Sequence, residues 1–75
     1  MVKLLDLAIE SIKDSKRNVR ANLVADTKDE VIACGTSGAN IVGLTADDTM
    51  VLGSMAICAD GGFGILSSNG QWNFQ

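Results

Sequence analysis

The chain has 75 residues, 47% of them hydrophobic, and its formal net charge at pH 7 is −3. This length allows one domain, predicted to span residues 1–75, and the hydrophobic fraction is too high for a disordered chain. No stretch approaches the roughly 20 consecutive apolar residues of a membrane-spanning helix, and Asp6, Glu10 and Asp14 interrupt the apolar N-terminus, which argues against a signal-peptide core.

The N-terminal segment predicts an amphipathic helix over about residues 2–15. At a step of 100° per residue, one face of this helix is apolar and the opposite face is mostly charged. Leu7 is the exception, because it lies among the polar side chains; it is either an ordinary exposed leucine or a contact with another subunit. The apolar face consists of Met1, Val2, Leu4, Leu5, Ala8, Ile9 and Ile12.

Residues 15–29 fit two patterns. Val19 and Leu23 would continue the apolar face of the helix, but apolar and polar residues also alternate here, as they do in a strand. We favour a helix end near Ser15 to Asn18, followed by an extended segment. The basic stretch Lys16–Arg20 is interpreted as a solvated helix end, where cations complement the helix dipole. Nucleic-acid binding is not predicted, because interleaved aromatic residues and a known motif are both absent.

From residue 30 onwards the sequence becomes β-rich, with short apolar runs separated by turn residues. Thr45–Asp48 is interpreted as a turn or as a single helical turn capped by Thr45. Asp60-Gly61-Gly62 and Asn69-Gly70 are strong reversal signals, since glycine and asparagine accept positive φ, and residues 54–75 therefore predict a three-stranded meander. The candidate strands are Glu30–Cys34, Asn40–Leu44, Thr49–Leu52, Ser54–Ala59, Phe63–Ser67 and Gln71–Phe74.

These elements predict an α+β fold. The N-terminal amphipathic helix is expected to pack against a small, mainly antiparallel sheet that ends in the C-terminal meander.

The residue types argue against catalysis. The chain has no histidine and no tyrosine, so the commonest general base is missing. Cys34 and Cys58 lie in apolar runs, where a thiol stays protonated, and two cysteines without histidine do not complete a four-ligand zinc site. Adjacent Asp47 and Asp48 are interpreted as a solvated turn. We therefore predict no catalytic, cofactor-binding or metal-binding residues, reduced thiols and a protein that is not an enzyme.

Charge is distributed unevenly along the chain. All six basic residues lie within residues 1–28, whereas residues 61–75 have no charged side chain and contain both phenylalanines and the only tryptophan. A free surface is normally about a quarter to a third charged, so this segment is predicted to be covered, either by the domain's own core or by another protein. A short chain also has a marginal core, which favours a homo-oligomer or a permanent partner. The predicted interaction residues are Phe63, Trp72, Phe74 and Leu7.

The C-terminal half resembles a group of viral proteins. Leu52–Asp60 reads as Leu-Gly-Ser followed by a small apolar strand and a turn, and Asn69–Trp72 reads as Asn-Gly-x-Trp after a second strand. This pattern resembles short structural proteins of tailed phages and prophages, such as head-decoration, head-fibre and other minor virion components. The resemblance covers about residues 20–74. It departs from that group at Gly64–Leu66, where many of its hairpins carry an aromatic residue before the turn.

The resemblance implies a non-enzymatic virion component that binds the capsid, another virion protein or its own copies. Such a protein would be made in the host cytoplasm and located in the virion. The alternative left open by the residues is a small cytosolic regulator or inhibitor that binds a single host protein.

Overall fold

A single mixed sheet organises the chain. The computed structural model describes residues 1–75 and contains seven strands and one short helix. The sheet order is β3-β1-β2-β5-β6-β7, and β4 lies beside β2. Antiparallel pairing joins β1 to β2, β5 to β6 and β6 to β7, whereas β3 is parallel to β1, and β4 and β5 are parallel to β2. The elements are β1 (Val2–Lys13), β2 (Lys16–Ala25), α1 (Lys28–Cys34), β3 (Ile41–Val42), β4 (Asp48–Met50), β5 (Met55–Cys58), β6 (Phe63–Leu66) and β7 (Trp72–Phe74).

The predicted N-terminal helix is wrong, because residues 2–13 form the strand β1. Two irregularities, between Leu4 and Asp6 and between Ile9 and Ser11, interrupt its pairing with β2. A β-bulge adds one residue and shifts the alternation of side chains between the two faces. The β1 residues that pair with the core-facing residues of β2 are therefore two or three positions apart in the sequence. This spacing resembles the period of about 3.6 residues that an amphipathic helix shows. These residues are Val2, Leu4, Leu7, Ile9 and Ile12.

The turn between β1 and β2 explains why the hairpin was not predicted. Asp14 and Ser15 form a two-residue connection in which both φ angles are positive, 53° and 68°. This is the conformation that favours Asn-Gly or Asp-Gly in hairpins, and Asp-Ser is a weak form of that signal. The predicted α+β class is therefore wrong, and the sheet is mixed rather than mainly antiparallel. The extended segment expected after Asn18 is present as part of β2.

The only helix lies where a strand was predicted. Residues 30–34 belong to α1, and its N-cap Thr27 accepts a hydrogen bond from the backbone N–H of Glu30 at 3.3 Å. Asp60 adds a second cap, since its carboxylate accepts from the backbone N–H of Lys28 at 3.1 Å. Threonine followed three positions later by glutamate is a capping-box signal. An isolated helix of this length is not stable, so packing of its buried residue Val31 is required to hold it.

The hydrophobic core lies on one face of the sheet. β2 contributes four alternate side chains to it, and α1 and the segment after it cover them with Val31, Ile41 and Leu44. The predicted C-terminal meander is confirmed as β5, β6 and β7. The four core residues of β2 are Val19, Ala21, Leu23 and Ala25, and the remaining core residues are Val2, Met50, Ala56, Cys58 and Leu66.

Two buried polar side chains, Asp48 and Ser54, hold the place where β2 changes its neighbour from β4 to β5. Buried Asp48 accepts a hydrogen bond from Arg17 Nε at 2.7 Å and another from the backbone N–H of Thr45 at 2.9 Å. Buried Ser54 accepts from the backbone N–H of Ala21 at 3.0 Å, through its hydroxyl oxygen. Since an unpaired buried polar group costs about 1–3 kcal/mol, these three hydrogen bonds let the sheet change partners without leaving a buried polar group unpaired.

Candidate interaction surface

The second face of the sheet has no covering layer, and we call it the open face. Its side chains alternate with the core residues of β2, β5 and β6, as the period of a strand requires. The bulge in β1 adds Leu5 to this face, where Leu5 lines a groove together with Met55 and Ile57. The open face consists of Lys3, Leu5, Asp6, Ala8, Arg20, Asn22, Val24, Met55, Ile57, Phe63 and Ile65.

Strand register makes the apolar part of the open face continuous. Val24, Ile57 and Phe63 are consecutive partners across β2, β5 and β6. Met55 and Ile65 form the neighbouring pair across β5 and β6. Directly opposed side chains on one face of a sheet lie in contact distance. We call the resulting cluster the apolar patch; its members are Leu5, Val24, Met55, Ile57, Phe63 and Ile65.

The patch is large for a chain of this size. Five of its side chains are substantially exposed: Leu5 by 61%, Ile57 by 58%, Ile65 by 42%, Phe63 by 38% and Met55 by 37%. Taking about 200 Å² for a large apolar residue, these fractions leave about 500 Å² of apolar surface facing solvent. Contiguous patches of about 300–600 Å² are the largest that monomeric proteins usually show, and they are often functional.

A shallow groove of about 240 Å³ crosses the patch between β1 and β5. Leu5, Met55 and Ile57 provide its apolar walls. Asp6 and Asn22 form its polar end, where Asn22 Nδ2 donates a hydrogen bond to Asp6 Oδ1 at 2.5 Å. The groove can therefore accept a large apolar side chain.

Charge on the open face is confined to the β1–β2 side. Lys3 and Asp6 belong to β1 and Arg20 to β2, whereas β5, β6 and β7 carry no charged side chain. A surface whose centre is apolar and whose charges lie along one border has the composition of a protein-binding site.

The predicted interaction residues divide between the two faces. Phe63 belongs to the apolar patch, while half-buried Trp72 and Phe74 pack against the core on the opposite face. The indole Nε1 of Trp72 donates to the carbonyl oxygen of Gly35 at 2.8 Å, and its ring centroid lies 6.2 Å from that of Phe74. Leu7 also packs against the core, opposite Ala21.

Apart from Phe63, the residues of the patch were not recognised from the sequence, although a signal was present. Met55–Cys58 and Ile65–Leu66 are apolar at consecutive positions, and successive side chains of a strand point to opposite faces. A strand with one face in water normally alternates apolar and polar residues. Uninterrupted apolar strands therefore predict apolar side chains on both faces of the sheet, including the face away from the core.

The ionisable groups have structural roles. The hydrogen bond from Arg17 holds the pKa of Asp48 below its usual value, and backbone hydrogen bonds from Lys28 and Gly62 lower the pKa of Asp60. Burial raises the pKa of both thiols, Cys34 and Cys58, and neither forms a disulfide.

No group of three or more His, Cys, Asp or Glu residues is arranged to hold a metal ion. The structure also contains no helix with the length and apolar character needed to cross a membrane. Comparison of the chain with family models, with curated proteins and with solved structures gave no match.

Proposed function

We propose that this chain is a non-enzymatic assembly protein that acts by docking the open face of its sheet against another protein. The observation that carries this proposal is the apolar patch, which faces solvent in the isolated chain. Exposed apolar surface of this extent is costly to keep in water, and a partner that covers it removes that cost.

The size of the patch agrees with the needs of a specific interface. A standard interface buries about 800 Å² on each partner, of which about 56–65% is non-polar, or about 450–520 Å². The apolar patch supplies about 500 Å². The flanking polar residues, Asn22 and Arg20 among them, provide the hydrogen-bonding rim that such interfaces have.

The setting that we propose is a virus particle, in which the chain is a minor component that binds the capsid or its own copies. This part of the proposal is supported by the resemblance of about residues 20–74 to small phage structural proteins, which the motifs at Leu52–Asp60 and Asn69–Trp72 carry. A docking surface on a small sheet, without a catalytic constellation, suits a protein whose work is to occupy a site on a larger assembly.

The test compares two isoleucines that lie on opposite sides of the domain. Ile57 lies in the patch, whereas Ile32, which is 50% exposed, lies on α1. Three versions of the chain are expressed: wild type, Ile57→Lys and Ile32→Lys. The particles released from each culture are purified on a density gradient. Mass spectrometry and immunogold imaging then detect the chain. We expect wild type and Ile32→Lys in the particles and Ile57→Lys in the unbound fraction.

Two results would contradict the proposal in different ways. If the wild-type chain is absent from particles and instead co-purifies with a single host protein, the virion setting is wrong and the regulator alternative takes its place. If Ile57→Lys enters particles as well as wild type does, the open face is not the docking surface.

A further inference from the structure

The groove and the most prominent aromatic side chain of the open face lie on opposite sides of β5. Across the sheet, β2 is the neighbour of β5 on one side and β6 is its neighbour on the other. The groove is centred over β2, because β1, β2 and β5 supply its walls. Phe63 and Ile65 project from β6 at the register of Ile57 and Met55.

This arrangement is self-complementary. A two-fold axis that lies in the interface and runs along β5 exchanges the two sides of that strand. It places β6 of one copy over β2 of the other, so that Phe63 and Ile65 of each copy meet the groove of its mate. Two sheets packed face to face align within about 30° and interdigitate their side chains in this way. Homodimers most commonly use such a two-fold contact, in which the same patch serves both subunits.

The charges of the open face are compatible with the same axis. It sets the β1–β2 border of one copy, which carries Lys3, Asp6 and Arg20, over the uncharged β6–β7 hairpin of the other. No charged side chain then faces a like charge. Facing like charges would weaken association.

Association through the edge of the sheet is disfavoured by comparison. Beyond the two residues paired with β3, the outer edge of β1 is free, and such an edge can recruit another strand. However, β1 contains two bulges, and Asp6, Glu10 and Lys13 place charges along it. Bulges and charged side chains are the devices by which proteins protect edge strands. The open face has no such protection at its centre, so it is favoured over the β1 edge for self-association.

We propose that the partner of the open face is a second copy of this chain, bound face to face about a two-fold axis along β5, with Phe63 and Ile65 of each copy seated in the groove of the other. This proposal rests on the proposed function, since both use the open face, and it names the partner. The dimer is a β-sandwich whose shared inner layer completes the half-covered sheet of each subunit.

Sedimentation velocity and light scattering of the purified chain test the proposal. Interfaces of standard size have dissociation constants from micromolar downwards, so at roughly 100 µM the wild type is expected to be almost entirely dimeric. Ile57 lies at the two-fold axis, where it contacts Ile57 of the other copy. Ile57→Lys and Ile57→Glu are therefore each expected to be monomeric with an unchanged circular dichroism spectrum. Ile32→Lys is the matched control and is expected to remain dimeric.

Mixing the two charged variants gives the sharper test. An equimolar mixture of Ile57→Lys and Ile57→Glu is expected to form a heterodimer that dissociates as salt is raised, because the opposite charges face each other only at a two-fold contact centred on β5. A mixture that stays monomeric overturns this axis.

A wild-type chain that stays monomeric at the same concentration overturns the dimer. The particle-association experiment then reports independently on the proposed function, because the loss of Ile57→Lys from particles does not require the chain to self-associate.

Discussion

The contact between Gly64 and Phe74 provides a sensitive test of the C-terminal packing. The two residues are direct partners across β6 and β7. A Cβ atom built on Gly64 would lie 2.6 Å from Cε2, 2.7 Å from Cζ and 2.9 Å from Cδ2 of the Phe74 ring. Carbon atoms in contact are normally about 3.5–4.0 Å apart, so in Gly64→Ala the ring has to withdraw by about 1 Å.

The expected cost follows from this displacement. Phe74 packs against the core and against Trp72, and moving its ring away weakens both contacts. Overpacking of this kind costs about 1–3 kcal/mol in the free energy of unfolding. The backbone of Gly64 does not have positive φ, so alanine is otherwise acceptable there. Without the clash, the substitution would stabilise the strand by about 0.5–1 kcal/mol.

A double-mutant cycle separates these two effects. Gly64→Ala is made in the wild type and in a Phe74→Ala background, and urea unfolding at one fixed protein concentration is followed by circular dichroism. We expect destabilisation in the wild type and slight stabilisation in the Phe74→Ala background, with a coupling free energy of about 1.5–4 kcal/mol. A Gly64→Ala protein that is as stable as wild type, or the same sign in both backgrounds, would refute the packing described for Phe74.

Three further outcomes are expected from single substitutions. Ser15→Gly should raise the free energy of unfolding by about 0.5–1 kcal/mol in a thermal melt, because glycine adopts the positive φ of the hairpin turn without strain. A lower free energy of unfolding would instead indicate that Ser15 lies in a helix. Asp48→Asn should lower the stability at pH 7 by about 1–3 kcal/mol through loss of the charge-assisted bond from Arg17. The folded pKa of Asp48 is depressed, so this contribution is fully present above its unfolded pKa of about 3.9 and is lost as the pH falls through the folded value. The gap between wild type and Asp48→Asn in urea titrations should therefore close at acid pH, and a gap independent of pH would contradict the ion pair. Trp72→Ala should cost about 2–4 kcal/mol by calorimetry, since it removes core packing and leaves the carbonyl of Gly35 without its donor; an unchanged melting temperature would place the indole outside the core.

The turns of the C-terminal half were predictable from the sequence because their signals are local. Gly61 and Gly70 adopt φ of 92° and 83°, which glycine reaches at no steric cost. The residues of each turn therefore determine where it forms, and the positions of the turns determine where the strands between them begin and end. The sequence also contained the start of α1, in the capping-box pair Thr27 and Glu30, although that segment was predicted to be a strand.

The N-terminal half and the candidate site depended on the tertiary structure. Residues 2–13 fit a helix and a bulged strand equally well, and only pairing with β2 selects the strand and places a bulge at Leu5. That bulge brings Leu5 to the open face, beside Met55 and Ile57, which are more than forty positions away in the chain. Trp72 and Phe74 were recognised as large side chains that need cover, but the register of β7 decided that the domain's own core provides it. Local backbone preference is a property of a few residues, whereas the face on which a side chain lies depends on the strands beside it. That is why the turns could be read from the sequence and the make-up of the open face could not.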